Sequence, residues 1–453
     1  MTRVLALDVG SSSVRALAYD ERGRELDGVA ARRTYAPAYG RDGGAELDAD
    51  LLVAAAEDVL HEALVRGGTA TDAVGISCFW HSLLLLDRAR RPLTPVLLWQ
   101  DRRAAAQAEE LRGRLDPAAV HSRTGCVLHP SYWPAKLAWL AAESADVLAR
   151  AEHVVSFPDY LFFRLTGELR TTLSIASGTG LMDLRGRCWD PELLSALELE
   201  PELLPRCSEE PAGEQEATYP ALGDGACSNL GAGCTDPTRA ALMIGTSGAY
   251  RVLREADGID PRDGLFCYFL DERRLVEGGA ISDGGNLYAW LRRMLRLDQP
   301  RPQEPDAHGL TFLPLLGGER SPGWNPAATG AVAGLTFDVG PDDLLQAALE
   351  GIAYRLAEVA ALLPDVREIV ATGHALLDSP RWIQLCADVL GLPVAASAVP
   401  EGSARGAAVQ ALERLGADPE PAPLGRVYEP DPRRTDVYAA ARERQRELYR
   451  RLF

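Results

Sequence analysis

The stretch Val4-Leu5-Ala6-Leu7-Asp8-Val9-Gly10-Ser11-Ser12-Ser13-Val14-Arg15-Ala16-Leu17-Ala18-Tyr19-Asp20 sets two apolar runs on either side of a glycine-serine turn. Run length and β-propensity read as the two strands of a hairpin closed by a tight loop. The loop gathers backbone N–H groups and three hydroxyls beside one carboxylate, Asp8. That combination suits a phosphate and a divalent cation; taken alone, it suits a water-facing hairpin tip equally well. The plan returns at Ala240-Ala241-Leu242-Met243-Ile244-Gly245-Thr246-Ser247-Gly248-Ala249-Tyr250-Arg251-Val252-Leu253, again apolar strand, glycine, two hydroxyl residues and a second strand. Two such hairpins, one early in each half, predict two related domains facing one another across a cleft. The boundary is expected near Thr235-Asp236-Pro237-Thr238.

The 453 residues leave room for two or three domains, each with a buried core. A net charge of -18 and a pI of about 4.9 repel phosphate backbones and anionic membranes, so neither nucleic acid nor membrane is expected as a partner. Met1-Thr2-Arg3 runs straight into a strand without a basic-then-apolar leader, and no apolar run approaches the ~20 residues of a membrane helix. The 8 cysteines are scattered and form no CxxC pair, which reads as reduced thiols of a cytoplasmic protein. Lys136 is the sole lysine among 47 basic side chains. It marks either a position that wants a compact ammonium or nothing more than codon preference. Without any Gly-Lys pair there is no Walker A loop.

Asp48 to Arg66 carries the apolar spacing of an amphipathic helix, stopped by Gly67-Gly68. A buried strand, Ala73 to Phe79, leads into the turn Trp80-His81-Ser82, and side chains in such turns commonly point into a cleft. Val96-Leu97-Leu98-Trp99 delivers Gln100-Asp101-Arg102-Arg103. Asp101 suits a helix N-cap, whereas arginines sit poorly at the positive end of the helix dipole, which favours a ligand role for one of them. Gly223-Asp224-Gly225 sets a carboxylate between two glycines, either an empty turn or a base approached closely by ligand. A glycine-rich turn, Glu277 to Asn286, enters a helix over 287–297 whose N-terminus can receive an anion. Strand Glu368 to Thr372 then meets Gly373-His374. Further helices are expected over 341–363, from Pro380, and over about 435–452.

In this order the motifs resemble those of the FGGY carbohydrate kinases, members of the larger group that includes hexokinase, actin and the heat-shock chaperone ATPases. The opening hairpin is similar to the first phosphate loop of that family, Gly245-Thr246-Ser247-Gly248 to the second, and Gly223-Asp224-Gly225 to its catalytic aspartate segment. Gly318-Glu319-Arg320 and Glu350-Gly351-Ile352-Ala353 also fall in the family's order. The resemblance implies an α/β fold of two ribonuclease H-like domains, 1–237 and 238–453, with an interdomain cleft. It implies ATP and Mg2+ as cofactors, Asp224 as general base and Asp8 at the metal. Gly10, Ser11, Ser12, Arg15, Gly245, Thr246, Gly285, Gly373 and His374 would surround the nucleotide.

Phe79-Trp80-His81-Ser82-Leu83-Leu84 and the stretch Thr124 to Leu137 look most like gluconate kinases, while Trp99-Gln100-Asp101-Arg102-Arg103 is shared with glycerol kinases. The implied reaction is gluconate to 6-phosphogluconate, with the sugar acid held by His81, Trp99, Asp101, Arg102, Lys136 and Asp224. Lys136, Arg102 and Arg103 are the candidates for the positive charge an anionic substrate needs. A neutral ketose or polyol such as xylulose or glycerol is the alternative, and a sugar- or nucleotide-binding protein without turnover is a third reading. His374 and Ala375 stand where the family has glycines, and Asp378 where arginine is common, which leaves nucleotide preference open. A homodimer is left open too.

Overall fold

The computed structural model describes residues 2–67, 71–213, 217–298, 301 and 303–453; Met1 and Gly68 lie outside them. The opening hairpin forms as expected, with Val4–Val9 and Ser13–Tyr19 paired antiparallel. Ala31–Thr34 continues the sheet on one side. On the other, Ala73–Cys78 runs parallel to the first strand, with the short strands Ala217–Thr218 and Leu222–Gly223 beyond it.

A second sheet repeats the plan. Arg239–Ile244 and Gly248–Glu255 form its hairpin, Arg274–Ile281 and Phe266–Phe269 extend one side, and Glu368–Thr372 and Val394–Ser397 run parallel on the other. Leu424–Tyr428 closes the edge antiparallel. In both sheets the polar turn follows the C-terminal end of a strand that has a parallel neighbour, which is where α/β sheets hold ligands.

Helices cover these sheets with their apolar stripes. Ala49–Gly67 buries Leu52, Val53, Ala56, Val59, Leu60 and Ala63, the spacing of one helical face. Pro341–Ala360 and Pro380–Leu390 share the core of the second sheet. The last helix, Pro432–Leu452, starts ahead of the expected 435 because the Asp431 side chain caps it by accepting from the Arg433 N–H. Among the described residues no helix is long and apolar enough to cross a membrane.

One element crosses between the halves. Helix Gly402–Arg414 belongs in sequence to the second half, yet it packs on Ala73–Cys78, Val4–Val9 and helix Asp224–Gly231. Ala404, Ala407, Ala408, Ala411 and Leu412 share one core with Val4, Leu7 and Ile76. The approach is set by glycines: a Cβ added to Gly75, Gly231 or Gly406 would overlap the carbonyls of Ala407, Gly402 and Cys227 respectively. A division at 237/238 therefore falls in the connector ahead of strand Arg239–Ile244, but it does not part the two cores. The first core is completed by the second half of the chain.

Candidate active site

Asp8 is placed by register. Its cross-strand partner in the hairpin is Arg15 and its neighbour on the parallel strand is Ser77. Ser77 Oγ donates to Asp8 Oδ1 at 3.0 Å, and Arg15 Nε stands 3.3 Å from Oδ2. Burial lifts the Asp8 pKa to about 6 against the pull of Arg15. Asp224 opens helix Asp224–Gly231 directly after strand Leu222–Gly223. Its flanking glycines have a physical reason. The Trp80 indole lies flat against this backbone, so that a Cβ on Gly225 would come within 2.5 Å of Trp80 Cζ3, and one on Gly223 would overlap the ring outright. Trp80 is itself pinned, its Nε1 donating to the Ser174 carbonyl at 2.9 Å. Burial raises the Asp224 pKa, opposed by Arg251, the Gly225 N–H and Arg320.

Between these carboxylates and the second hairpin lies a cavity lined by Trp80, His81, Trp99, Asp224, Arg251, Tyr268 and Arg320. His81 occupies the left-handed region (φ 67°), which turns its ring inward. Its Nδ1 lies 2.5 Å from the Gly178 carbonyl, so Nδ1 carries the proton and Nε2 is left as an acceptor. Burial, helped by Arg320, pushes the His81 pKa down to about 3, and the ring is neutral at physiological pH. The Tyr132 and Tyr268 hydroxyls, one from each half, meet at 2.6 Å beside it.

The cations expected around the sugar are placed differently from the sequence reading. Lys136 is buried beneath the cavity and donates to the carbonyls of His81 (2.6 Å) and Leu97 (3.4 Å). It thus braces His81 and is not among the residues that line the cavity, and burial brings its pKa down to about 7. Arg103 spends its charge on Asp101 and Glu46 and stacks 4.4 Å from the Trp139 ring centroid. Asp101 is not an N-cap; that position belongs to Ala104, and Asp101 accepts instead from Ala45 N and Arg103. Arg102 is exposed at the rim, facing Gly318. Two cations line the cavity, Arg251, whose Nε donates to Asn229 Oδ1 at 3.2 Å, and Arg320. The Arg320 guanidinium lies 5.0 Å from the Trp99 ring and 5.9 Å from Trp324, and its Nε is buried with no hydrogen-bond partner among the described residues. The motif Gly318-Glu319-Arg320 does not by itself give Arg320 a task; its setting is supplied by Trp99, far away in the chain.

On the opposite side the two polar turns come forward. Gly10 N closes the first turn on the Ser13 carbonyl, and Tyr35, unread in the sequence, ties it down through a 2.5 Å hydrogen bond to the Gly10 carbonyl. Ser12 and Thr246 are exposed at the tips, and Ser11 and Gly245 are half-buried. Gly285 does not offer its N–H to a ligand as expected. It donates to the Gly245 carbonyl at 2.8 Å, and Asn286 N donates to Thr246 O, which stitches helix Gly285–Leu295 to the second turn. Gly373 (φ 85°) packs so closely that a Cβ would lie 2.5 Å from the Ile244 carbonyl. His374 follows, exposed, at the head of the short helix His374–Leu377.

Residues 3–219 match the model for the N-terminal domain of the FGGY family of carbohydrate kinases, and residues 240–413 match that for the C-terminal domain. The chain belongs to the FGGY family of carbohydrate kinases. The gluconokinase of Bacillus subtilis (strain 168) is 30% identical over 91% of this chain and 88% of that protein. A ligand-bound xylulose kinase from Lactobacillus acidophilus superposes with a TM-score of 0.92 at 26% identity, covering 100% of this chain and 98% of that one. A gluconate kinase from the same organism gives a TM-score of 0.91 at 27% identity, with the same coverage.

This FGGY kinase is thus a phosphotransferase acting on a sugar hydroxyl, and the family's cofactors are ATP and Mg2+. Once bound, these supply the phosphoryl group and a cation for its oxygens. The residues present fit them. Gly285 and Gly373 let the backbone on this side close tightly around the second polar turn, since a Cβ on Gly285 would come within 2.8 Å of Ala375 Cβ and one on Gly373 within 2.5 Å of the Ile244 carbonyl. Beside it the buried Thr372 Oγ1 lacks a partner among the described residues. Asp8 is a hard oxygen donor at the end of a rigid strand, as a divalent cation requires. Asp224 stands apart from it with a raised pKa, a carboxylate able to take a proton from a hydroxyl held in the cavity.

Proposed function

We propose that this kinase phosphorylates gluconate, or a sugar acid of that class, with Asp224 as general base and Asp8 as the carboxylate that holds Mg2+. The observation that carries the reading is Arg320, a guanidinium in the cavity that Asp224 lines, without a carboxylate partner among the described residues. Arg320 is half-buried, but its Nε is shut off from water and unpaired among the described residues, which is costly unless a ligand anion meets the group, and a planar fork matches a carboxylate. His81 Nε2 and the Trp99 ring receive the sugar's hydroxyls and its apolar face, while Asp101 and Lys136 brace these from behind and Arg102 guards the rim. Gly10, Ser11, Ser12 and Arg15 meet the phosphates from one side, and Gly245, Thr246, Gly285, Gly373 and His374 enclose the nucleotide from the other. A cytoplasmic setting, where ATP is supplied, agrees with 8 free cysteines.

The second reading is a ketose such as xylulose, supported by the xylulose kinase of similar fold. ADP release measured with gluconate, xylulose and glycerol side by side decides between them. Gluconate should give the highest kcat/KM, and Arg320→Gln should raise its KM about tenfold or more, the scale of a lost charge-assisted hydrogen bond. Xylulose as the preferred substrate, or an Arg320→Gln penalty equal for both sugars, would remove the sugar-acid reading.

A further inference from the structure

Arg15 lies between two carboxylates. On one side its Nε is 3.3 Å from Asp8 Oδ2; on the other its Nη1 is hydrogen-bonded to Glu401 Oε2. Glu401 comes from far along the chain, as the residue that precedes helix Gly402–Arg414. Its position is not left to a loose loop. The next residues are locked onto helix Asp224–Gly231 where Gly402 meets Gly231 and Gly406 meets Cys227, contacts too close for any side chain. Within the same turn Ser403 Oγ donates to the Asp224 carbonyl at 3.3 Å. The turn 401–403 therefore spans both carboxylates of the site, reaching Asp8 through Arg15 and Asp224 through its backbone.

We infer that Glu401 is a positioning residue for the metal carboxylate: by holding Arg15, it keeps the guanidinium from closing on Asp8 and leaves Asp8 free to bind Mg2+. This rests on the reading of Asp8 given above. The charge count supports it. Asp8 with Arg15 alone is neutral and offers little to a divalent cation, whereas Asp8, Arg15 and Glu401 together keep one net negative charge. Arg15 cannot move away instead, because strand register fixes it opposite Asp8 and only 17% of its side chain is exposed. Nor is Glu401 a cap for its own helix, whose first turn receives no side-chain hydrogen bond from it.

Binding of Mn2+ in the presence of ADP, followed by electron paramagnetic resonance on the full-length protein, tests this together with the KM for nucleotide and for sugar. Glu401→Gln should weaken Mn2+ binding at least about tenfold, a lower bound for removing one charge a few ångströms from a divalent cation. It should raise the KM for the Mg2+ nucleotide and leave the KM for sugar unchanged. Since the effect passes through Arg15, Glu401→Gln in an Arg15→Gln background should cost little further Mn2+ affinity. Unchanged Mn2+ binding in Glu401→Gln overturns the inference, as does an equal loss with and without Arg15. Asp8→Asn separates this from the underlying reading. If Asp8→Asn abolishes Mn2+ binding and Glu401→Gln does not weaken it, only the inference falls; if Asp8→Asn binds Mn2+ normally, both fall.

Discussion

At Asp224 burial and charge compete over one proton: burial lifts the carboxyl's pKa, while Arg251 and Arg320 pull it down, and the direction that prevails is upward. As the proposed base, Asp224 must be deprotonated to act, so kcat/KM should fall as pH drops through a value above the ordinary 3.8. His81, held near 3, should add no limb between pH 5 and 9, a range that a kcat/KM profile covers directly. Asp224→Asn should lower kcat roughly 10²–10⁴-fold, as expected for loss of a general base, while sugar binding by calorimetry persists; retained turnover would show that another group takes the proton. The places of Asp8 beside the first turn and of Asp224 between its glycines are legible in the sequence because local glycine and hydroxyl patterns mark them. Those of Lys136 and Arg320 are not. A lone lysine among arginines is conspicuous in composition, but whether its ammonium meets a ligand or two carbonyls depends on strands that only the folded chain brings beneath it. Arg320 is unremarkable in composition, and its standing comes from Trp99, which lies far from it in sequence.

Glycine does most of the structural specification between elements, and it does so with opposite signs at different places. Gly406 faces the Cys227 carbonyl across the helix pair, whereas Gly113, in helix Ala105–Arg114, has nothing within 4 Å of its missing Cβ. Gly406→Ala should therefore destabilise the protein by roughly 1–3 kcal/mol through overpacking and lower kcat by displacing the helix that carries Asp224. Gly113→Ala should stabilise it by about 0.5–1 kcal/mol through helix propensity alone. Urea midpoints of the two variants check both signs. The two hairpins could be read from sequence because each is closed within a few residues. The docking of helix Gly402–Arg414 could not. Its buried face is mostly small, with Ala404, Gly406, Ala407, Ala408 and Ala411 beside Leu412, which marks only a weak apolar stripe, and its partners lie more than a hundred residues away.

Across the molecule two sheets share one strand plan, and the repeated hairpin in the sequence was enough to foresee it. The cut at 237/238 was the natural inference from that repeat, and it misses the exchange of helix Gly402–Arg414. A fragment of residues 1–237 would leave the strand Ala73–Cys78 without its cover, exposing Gly75 where Ala407 and Ala411 belong. Such a fragment should be aggregation-prone and unprotected in amide exchange. Appending residues 402–414 through a flexible linker should restore a protected, monomeric species, and gel filtration with exchange distinguishes the two. A fragment that folds without the helix would mean that its packing is dispensable.

The borrowed helix also has a consequence for biosynthesis. Translated at about 5–20 residues per second, the strand Ala73–Cys78 leaves the ribosome roughly 15–70 s before the helix that must cover it. Through that interval the nascent first lobe is bare along an alanine- and glycine-lined face, a ready client for a holding chaperone. Its sheet is covered only after all but the edge strand of the second sheet have emerged, so most of the second lobe's framework is made before the first lobe is finished, although the first lobe is encoded first.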